Sequence, residues 1–213
     1  MNTDKLRREY QSQGGLTEDR IAENPFDQFE RWFTDATEAG IDLPDAMTLA
    51  TATPDGIPSA RMVVLRGFDT NGFCFYTDYD SQKGQELAEN PHAALVFYWR
   101  ELDRQVRSNG TVEKMTKAES DAYFASRPID SQLAVRTERQ SIVIPGREHL
   151  ENNFKKAKQK YSGNDIPCPS HWGGYRLIPS MFEFWQGCPS RLHDRIHYTL
   201  KDNGYWEIER LSP

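Results

Sequence analysis

From Ala46 onward the apolar residues recur at every second position in short runs, and each run stops at residues suited to turning the chain. Met47 to Thr53 leads into Pro54-Asp55-Gly56, Ser59 to Phe68 leads into Asp69-Thr70-Asn71-Gly72, and Phe73 to Thr77 follows. Such turns supply the positive φ that a tight hairpin needs, so the three runs predict an antiparallel meander. His92 to Trp99 and Gln105 to Lys114 predict two more strands, after a short helix at Ser81 to Glu89. Met181 to Gln186, Ile196 to Leu200 and Tyr205 to Leu211 predict three others, the last two joined at Asp202-Asn203-Gly204. Parallel strands need long crossovers, so short strands joined by hairpins argue against a βαβ sheet. The expectation is a mainly β fold with added helices, closed or nearly closed into a barrel.

Three stretches depart from this period. Asn24 as cap and Pro25 at the first helical position open a helix whose stripe of Phe26, Phe29, Trp32, Phe33 and Ala36 runs to Gly40; that stripe is core. Lys117 to Ser126 and Arg147 to Tyr161 predict helices packed outside the barrel. Residues 1–24 are polar, with Gly14-Gly15 and few apolar anchors, and predict a mobile arm ahead of a single domain over 25–213.

The chain has 213 residues, a formal charge of −6, a mean hydropathy of −0.77 and no long apolar run. These values argue against a membrane span, and against nonspecific nucleic-acid binding, which needs a basic face. The N-terminus lacks the apolar core of a secretory signal, and Cys74, Cys168 and Cys188 form neither an even set nor a CxxC pair, so a cytoplasmic location is expected. Dinucleotide, P-loop, nucleophile-elbow and zinc-protease motifs are absent, and the five histidines are scattered.

What remains is a set of Arg, Lys, Gln, Ser and aromatic residues at strand ends. In Phe182 to Arg195, an aromatic run breaks at Gly187 and Pro189 and is followed by Arg191, His193 and Arg195 at period two. If the strand resumes there, these three share one face. Two readings stand: a face built for an anion, or a solvated strand whose arginines pair with Glu207 and Glu209 on a hairpin partner. Arg61 and Arg66 bracket an apolar strand at a separation that sends them to opposite faces, either toward two anions or toward solvent. Tyr123, Arg127 and Ser131 recur four apart, as a helical face would place them, although Pro128 must bend or restart that helix. Taken alone, Tyr123 reads as a core aromatic.

The residues 183–187 (EFWQG) and 191–195 (RLHDR) resemble the C-terminal signature of the pyridoxine (pyridoxamine) 5′-phosphate oxidases, and the likeness extends over nearly the whole chain from Arg7. The resemblance implies an FMN-binding split β-barrel and a homodimer with FMN at the subunit interface. It implies cofactor contacts from Arg61, Met62, Val63, Val64, Leu65, Arg66, Tyr76, Thr77, Gln82, Lys83, Gln105, Gln140, Ser141, Trp185 and Arg195. It assigns the substrate phosphate to Arg66, Tyr123, Arg127 and Ser131, and the pyridine ring to Arg191, Leu192 and His193, with Arg191 and His193 catalytic. Arg7, Arg8, Glu9 and Tyr10 match an arm that folds over the substrate as a lid.

The implied reaction passes hydride from the C4′ carbon of pyridoxine or pyridoxamine 5′-phosphate to the flavin, which O2 reoxidises with release of H2O2. Two positions depart from the family. Arg66 stands where many members carry Lys, and Gln82 replaces a common basic residue, which implies a lost charged contact to the flavin phosphate. Two other functions fit parts of the pattern: a related split-barrel oxidase of phenazine biosynthesis, and a non-catalytic carrier of flavin or pyridoxal phosphate.

Overall fold

A computed structural model describes residues 9–10, 15–163 and 165–213. Arg7 and Arg8 of the expected arm lie outside the described residues. Strands β1 (Ala46–Ala52), β2 (Pro58–Val64), β3 (Gly67–Asp69), β4 (Gly72–Asp78), β5 (His92–Trp99), β6 (Arg104–Lys114), β7 (Trp172–Gln186), β8 (Asp194–Leu200) and β9 (Trp206–Arg210) form one antiparallel sheet. The path runs β2-β1-β5-β6-β7-β4-β3, with β8 on β7 and β9 on β8, and the sheet curls into a half-barrel. The helices are α1 (Pro25–Glu38), α2 (Gln82–Glu89), α3 (Lys117–Ser126), α4 (Ile129–Val135) and α5 (Arg147–Lys160). The fold is mainly β with added helices, as expected, and among the described residues no helix is long and apolar enough to cross a membrane.

Strand β7 is the spine. Its first half pairs with β4, from Phe73↔Leu177 to Asp78↔Trp172; its second half pairs with β8, from Met181↔Thr199 to Gln186↔Asp194; β6 lies along the other edge. The sequence predicts only Met181 to Gln186, because Gly173, Gly174 and Pro179 interrupt the pattern. Pro179 pairs with Gly110 of β6 at a register shift between Asn109 and Gly110, the kind of bulge at which a strand tolerates proline.

Helix α1 begins as its sequence predicts: Asn24 Oδ1 accepts from the Phe26 N–H at 2.9 Å, with Pro25 at the first position. Phe26, Phe29 and Trp32 are buried against Phe73, Phe97, Phe182 and Phe184. Each of these rings contributes on the order of 1.5–3 kcal/mol by leaving water.

Two expectations are corrected. The first four strands are two hairpins and not a meander, since β1–β2 and β3–β4 lie at opposite ends of the strand path. The run from Ser59 to Phe68 therefore breaks. The Leu65 N–H donates to Asp45 O and the Arg66 N–H to Cys74 O, so the backbone changes sides of the sheet there. The second correction concerns residues 187–193. Pro189–Arg191 is a 3₁₀ turn with Ser190 at φ 57° and Arg191 at φ 62°, and β8 starts only at Asp194. Arg191 and His193 therefore share no strand face with Arg195, and Arg195 pairs with Glu183 on β7 instead of Glu207 or Glu209.

Candidate active site

A cavity of about 730 Å³ opens where β2, β4 and helices α2 to α4 converge. Arg61, Met62, Val63, Val64, Arg66, Tyr76, Thr77, Lys83, Tyr123, Arg127, Ser131 and Gln140 line it, together with Asp78, Ser126, Glu138 and Trp172. The break after Val64 brings Arg61 and Arg66 into one cavity, although a regular strand would have parted them. Leu65 does not line it; its side chain is buried in the core.

One side of the cavity is a cluster of hydrogen-bonding groups around Lys83. The Lys83 ammonium donates to Thr77 Oγ1 at 3.1 Å, Gln140 Oε1 at 3.2 Å and Ser81 Oγ at 3.4 Å, all of them neutral. Burial, and then the Arg61 charge, lower the Lys83 pKa. A half-buried cation with uncharged partners is suited to an anion. Gln140 reaches it because buried Asp78 pins the preceding loop: Arg139 Nε donates to Asp78 Oδ2 at 3.1 Å and the Gln140 N–H at 3.4 Å. Ser141 follows at φ 65° and is exposed. Gln82 is also outside the cavity, its amide donating to Glu86 Oε1 at 2.9 Å.

The other side is aromatic and cationic. Tyr76 stacks on Tyr123 with centroids 3.8 Å apart and on Trp172 at 5.5 Å, and burial pushes the Tyr76 phenol up to about 12. The Arg127 guanidinium lies 4.8 Å from the Trp172 ring centroid, and its Nη1 is buried with no hydrogen-bond partner among the described residues. An unpaired guanidinium nitrogen beside a cavity is a second place for an anion. Helix α3 ends at Ser126, Arg127 is extended (φ −72°, ψ 151°), and Pro128 restarts the chain as α4. Tyr123, Arg127 and Ser131 thus converge from two helices and the junction between them. Arg66 pairs with Asp45 at 3.7 Å.

The remaining predicted residues, among the described ones, lie outside this cavity, and Gln105, Arg195, His193 and Tyr10 gather around Trp185. Gln105 and Arg195 flank Trp185 in register on β6 and β8. Buried Glu183 accepts from Arg195 through Nε and Nη2, both at 3.1 Å, and from Arg107 at 2.8 Å. His193 lies beside Trp185 at 4.8 Å between centroids, and its Nδ1 accepts the Cys188 N–H at 3.1 Å. In neutral His193 the proton is therefore on Nε2. Tyr10 stands edge-on to Trp185 at 5.3 Å and to His193 at 5.1 Å; Arg191 and Leu192 are exposed, as is Glu9. Asp78, Glu86, Trp172 and Glu183 were not singled out from the sequence. Only Glu183 left a signal there, by alternating onto the face of Trp185.

Residues 33–161 match the family model described as pyridoxamine 5′-phosphate oxidase, and residues 172–213 match that of the pyridoxine 5′-phosphate oxidase C-terminal dimerisation region. The pyridoxine/pyridoxamine 5′-phosphate oxidase of Trichormus variabilis is 56% identical over 98% of this chain and 97% of its own length. That of Cupriavidus necator is 52% identical over the same shares. Among solved structures, PhzG from Burkholderia lata, in complex with tetrahydrophenazine-1-carboxylic acid, superposes with a TM-score of 0.87 at 32% identity, covering 93% of this chain and 98% of that one. A pyridoxamine 5′-phosphate oxidase-related, FMN-binding protein of Nostoc punctiforme superposes with a TM-score of 0.75 at 20% identity, over 91% of this chain and 100% of its own, a likeness of fold.

Proposed function

The chain belongs to the pyridoxamine 5′-phosphate oxidase family, and from that premise we propose that it oxidises pyridoxine or pyridoxamine 5′-phosphate to pyridoxal 5′-phosphate with FMN and O2. The observation that carries the reading is the pair of anion grips in one cavity. Lys83, hydrogen-bonded among the described residues to neutral groups, suits the flavin phosphate, and Arg127, whose Nη1 is unpaired among the described residues, suits the substrate phosphate. FMN, when bound, would supply the redox chemistry, accepting a hydride equivalent from C4′ and being reoxidised by O2 with formation of H2O2; Arg61, Thr77, Lys83 and Gln140 would hold its phosphate end.

The chain's own residues bind and orient. Arg66, Tyr123, Arg127 and Ser131 hold the substrate phosphate, far from the reacting carbon, so their binding energy fixes the position of C4′. His193, with Nδ1 occupied by the Cys188 N–H, presents Nε2 to the C4′ oxygen or nitrogen, and Arg191 beside it orients that group. Gln105, Trp185 and Arg195 would hold the isoalloxazine, and Tyr10, edge-on to Trp185 and His193, would cover the ring. Because none of these ring-side residues lines the chain's own phosphate cavity, a homodimer completes each site, with FMN at the subunit interface. The expected location is the cytoplasm.

The test is to mix the FMN-loaded protein anaerobically with pyridoxine 5′-phosphate, follow the flavin absorbance, then admit air. Bleaching, recovery and formation of aldehyde and peroxide are expected. The likeness to PhzG favours a second reading, oxidation of a reduced tricyclic ring. Flavin that stays oxidised with both vitamin phosphates yet bleaches with a dihydrophenazine would replace the first reading by the second.

A further inference from the structure

The phosphate cluster around Lys83 has a buried carboxylate behind it. Glu86 is 7% exposed and does not line the cavity. Its Oε2 accepts from Arg61 Nη2 at 3.2 Å, from Ser59 Oγ at 2.6 Å and from the Thr51 hydroxyl, and its Oε1 accepts from Gln82. Arg61 is correspondingly occupied. Nη1 donates to Thr51 Oγ1 and to Leu49 O, and Nη2 to Ser59 Oγ and Glu86, so all four terminal N–H bonds are committed and only Nε is left. Burial acts to raise the Glu86 pKa, but the hydrogen bonds from Ser59, Thr51, Gln82 and Arg61 outweigh it and hold the carboxyl at about 2. Glu86 is thus an anion near neutral pH.

Around Lys83 two cations, Lys83 and Arg61, therefore meet two anions: Asp78, whose charge Arg139 also meets, and Glu86. Arg61 arrives paired with Glu86, its charge still felt by Lys83 but partly offset, and Lys83 also feels the opposing fields of Asp78 and Glu86. Gln82, on the exposed side of the same helix, adds no charge. We infer that Glu86 is a positioning residue that fixes the Arg61 guanidinium and, by offsetting its charge, holds down the affinity of the Lys83 cluster for a phosphate monoester. That the phosphate is the flavin's rests on the function proposed above; the effect on phosphate does not. Two unit charges several ångströms apart in a partly buried site interact strongly enough to change an equilibrium constant about tenfold or more.

The substitution that separates charge from position is E86Q. A glutamine carbonyl still accepts from Arg61, Ser59 and Thr51, so the arginine keeps its seat while the anion is removed. FMN, riboflavin and phenyl phosphate are titrated into wild-type and variant apoprotein, by quenching of flavin fluorescence and by calorimetry. E86Q should bind FMN and phenyl phosphate about tenfold more tightly with riboflavin affinity unchanged, because riboflavin has no phosphate. E86D keeps the charge and withdraws it by one methylene, so it should show no gain.

An E86Q protein that binds phenyl phosphate no more tightly than wild type, or an E86D protein that gains as much as E86Q, overturns the inference. If E86Q gains on phenyl phosphate while neither protein takes up FMN, the role of Glu86 stands and the flavin assignment fails.

Discussion

At the scale of single residues the proposed chemistry separates binding from turnover, and two substitutions divide it. On the proposed reading Arg127 grips the remote phosphate, so losing a charge-assisted hydrogen bond of about 1.5–3 kcal/mol would raise KM about tenfold or more. Arg127→Ala should therefore raise KM for pyridoxine 5′-phosphate with kcat little changed. Arg191→Ala should do the converse, lowering kcat, since the proposal sets Arg191 beside the reacting group. Initial rates over a range of substrate decide both, and an Arg127→Ala protein with unchanged KM removes Arg127 from the phosphate grip.

These positions were legible through the family resemblance; from the residues alone Tyr123 reads as a core aromatic, and Arg61 and Arg66 face either anions or solvent. Their supports were not legible. Asp78, Glu86 and Trp172 are brought to the site by strand pairing and helix packing across tens of residues, and nothing in their immediate neighbours distinguishes them from surface acids or a core indole. Arg61 and Arg66 show the same limit: their odd spacing predicts opposite faces, and only the change of backbone partner at Leu65 puts both in one cavity.

At the scale of elements the segment after β7 is the decisive one. Gly187 needs no positive φ, yet a Cβ there would come within 2.6 Å of Tyr10 Cδ1 and 3.1 Å of Asp103 Cβ. The glycine leaves room for the Tyr10 ring to lie against Trp185 and His193. The chain beyond is moored by the Leu16 N–H on Asp194 Oδ2 at 2.9 Å and by Arg210, which donates to Glu18 at 2.6 and 2.9 Å. Gly187→Ala should displace Tyr10 with the rest of the fold intact. Tryptophan emission should move to longer wavelength as Trp185 gains water, and kcat/KM should fall. Unaltered emission and kcat/KM would show that the ring contact is incidental. The hairpin strands and helices α1, α3 and α5 could be read from periodicity and capping, since those signals are local. The 15-residue β7 and the turn at Pro189–Arg191 could not, because a bulge and left-handed backbone at Ser190 and Arg191 answer to neighbours distant in sequence.

At the scale of the whole molecule two consequences follow from how charge and surface are distributed. Glu18 and Glu86 both have carboxyls held at about 2: Arg210 chiefly lowers Glu18, while at Glu86 the hydrogen bonds overcome burial. A carboxyl whose pKa is lower folded than unfolded adds stability that is complete above its unfolded value of 4.5 and is lost as pH falls toward 2. The thermal midpoint should be flat near neutrality and fall steeply below about pH 4.5. E86Q should fall less steeply; an identical acid limb would mean that Glu86 is not depressed in the folded protein. The second consequence concerns the dimer. If the phosphate cavity of one chain works with the Trp185 group of its partner, defects in the two groups complement one another. An Arg127→Ala chain paired with an Arg191→Ala chain then holds one site with both arginines and one with neither. Random mixing makes half of the dimers mixed, each with one intact site, so about one quarter of wild-type activity should appear at low substrate. If both groups served a site within one chain, every site in the mixture would carry one defect and activity would stay at the mean of the two variants. Refolding the variants together and apart, and comparing rates, distinguishes a shared site from two separate ones without requiring the position of the cofactor.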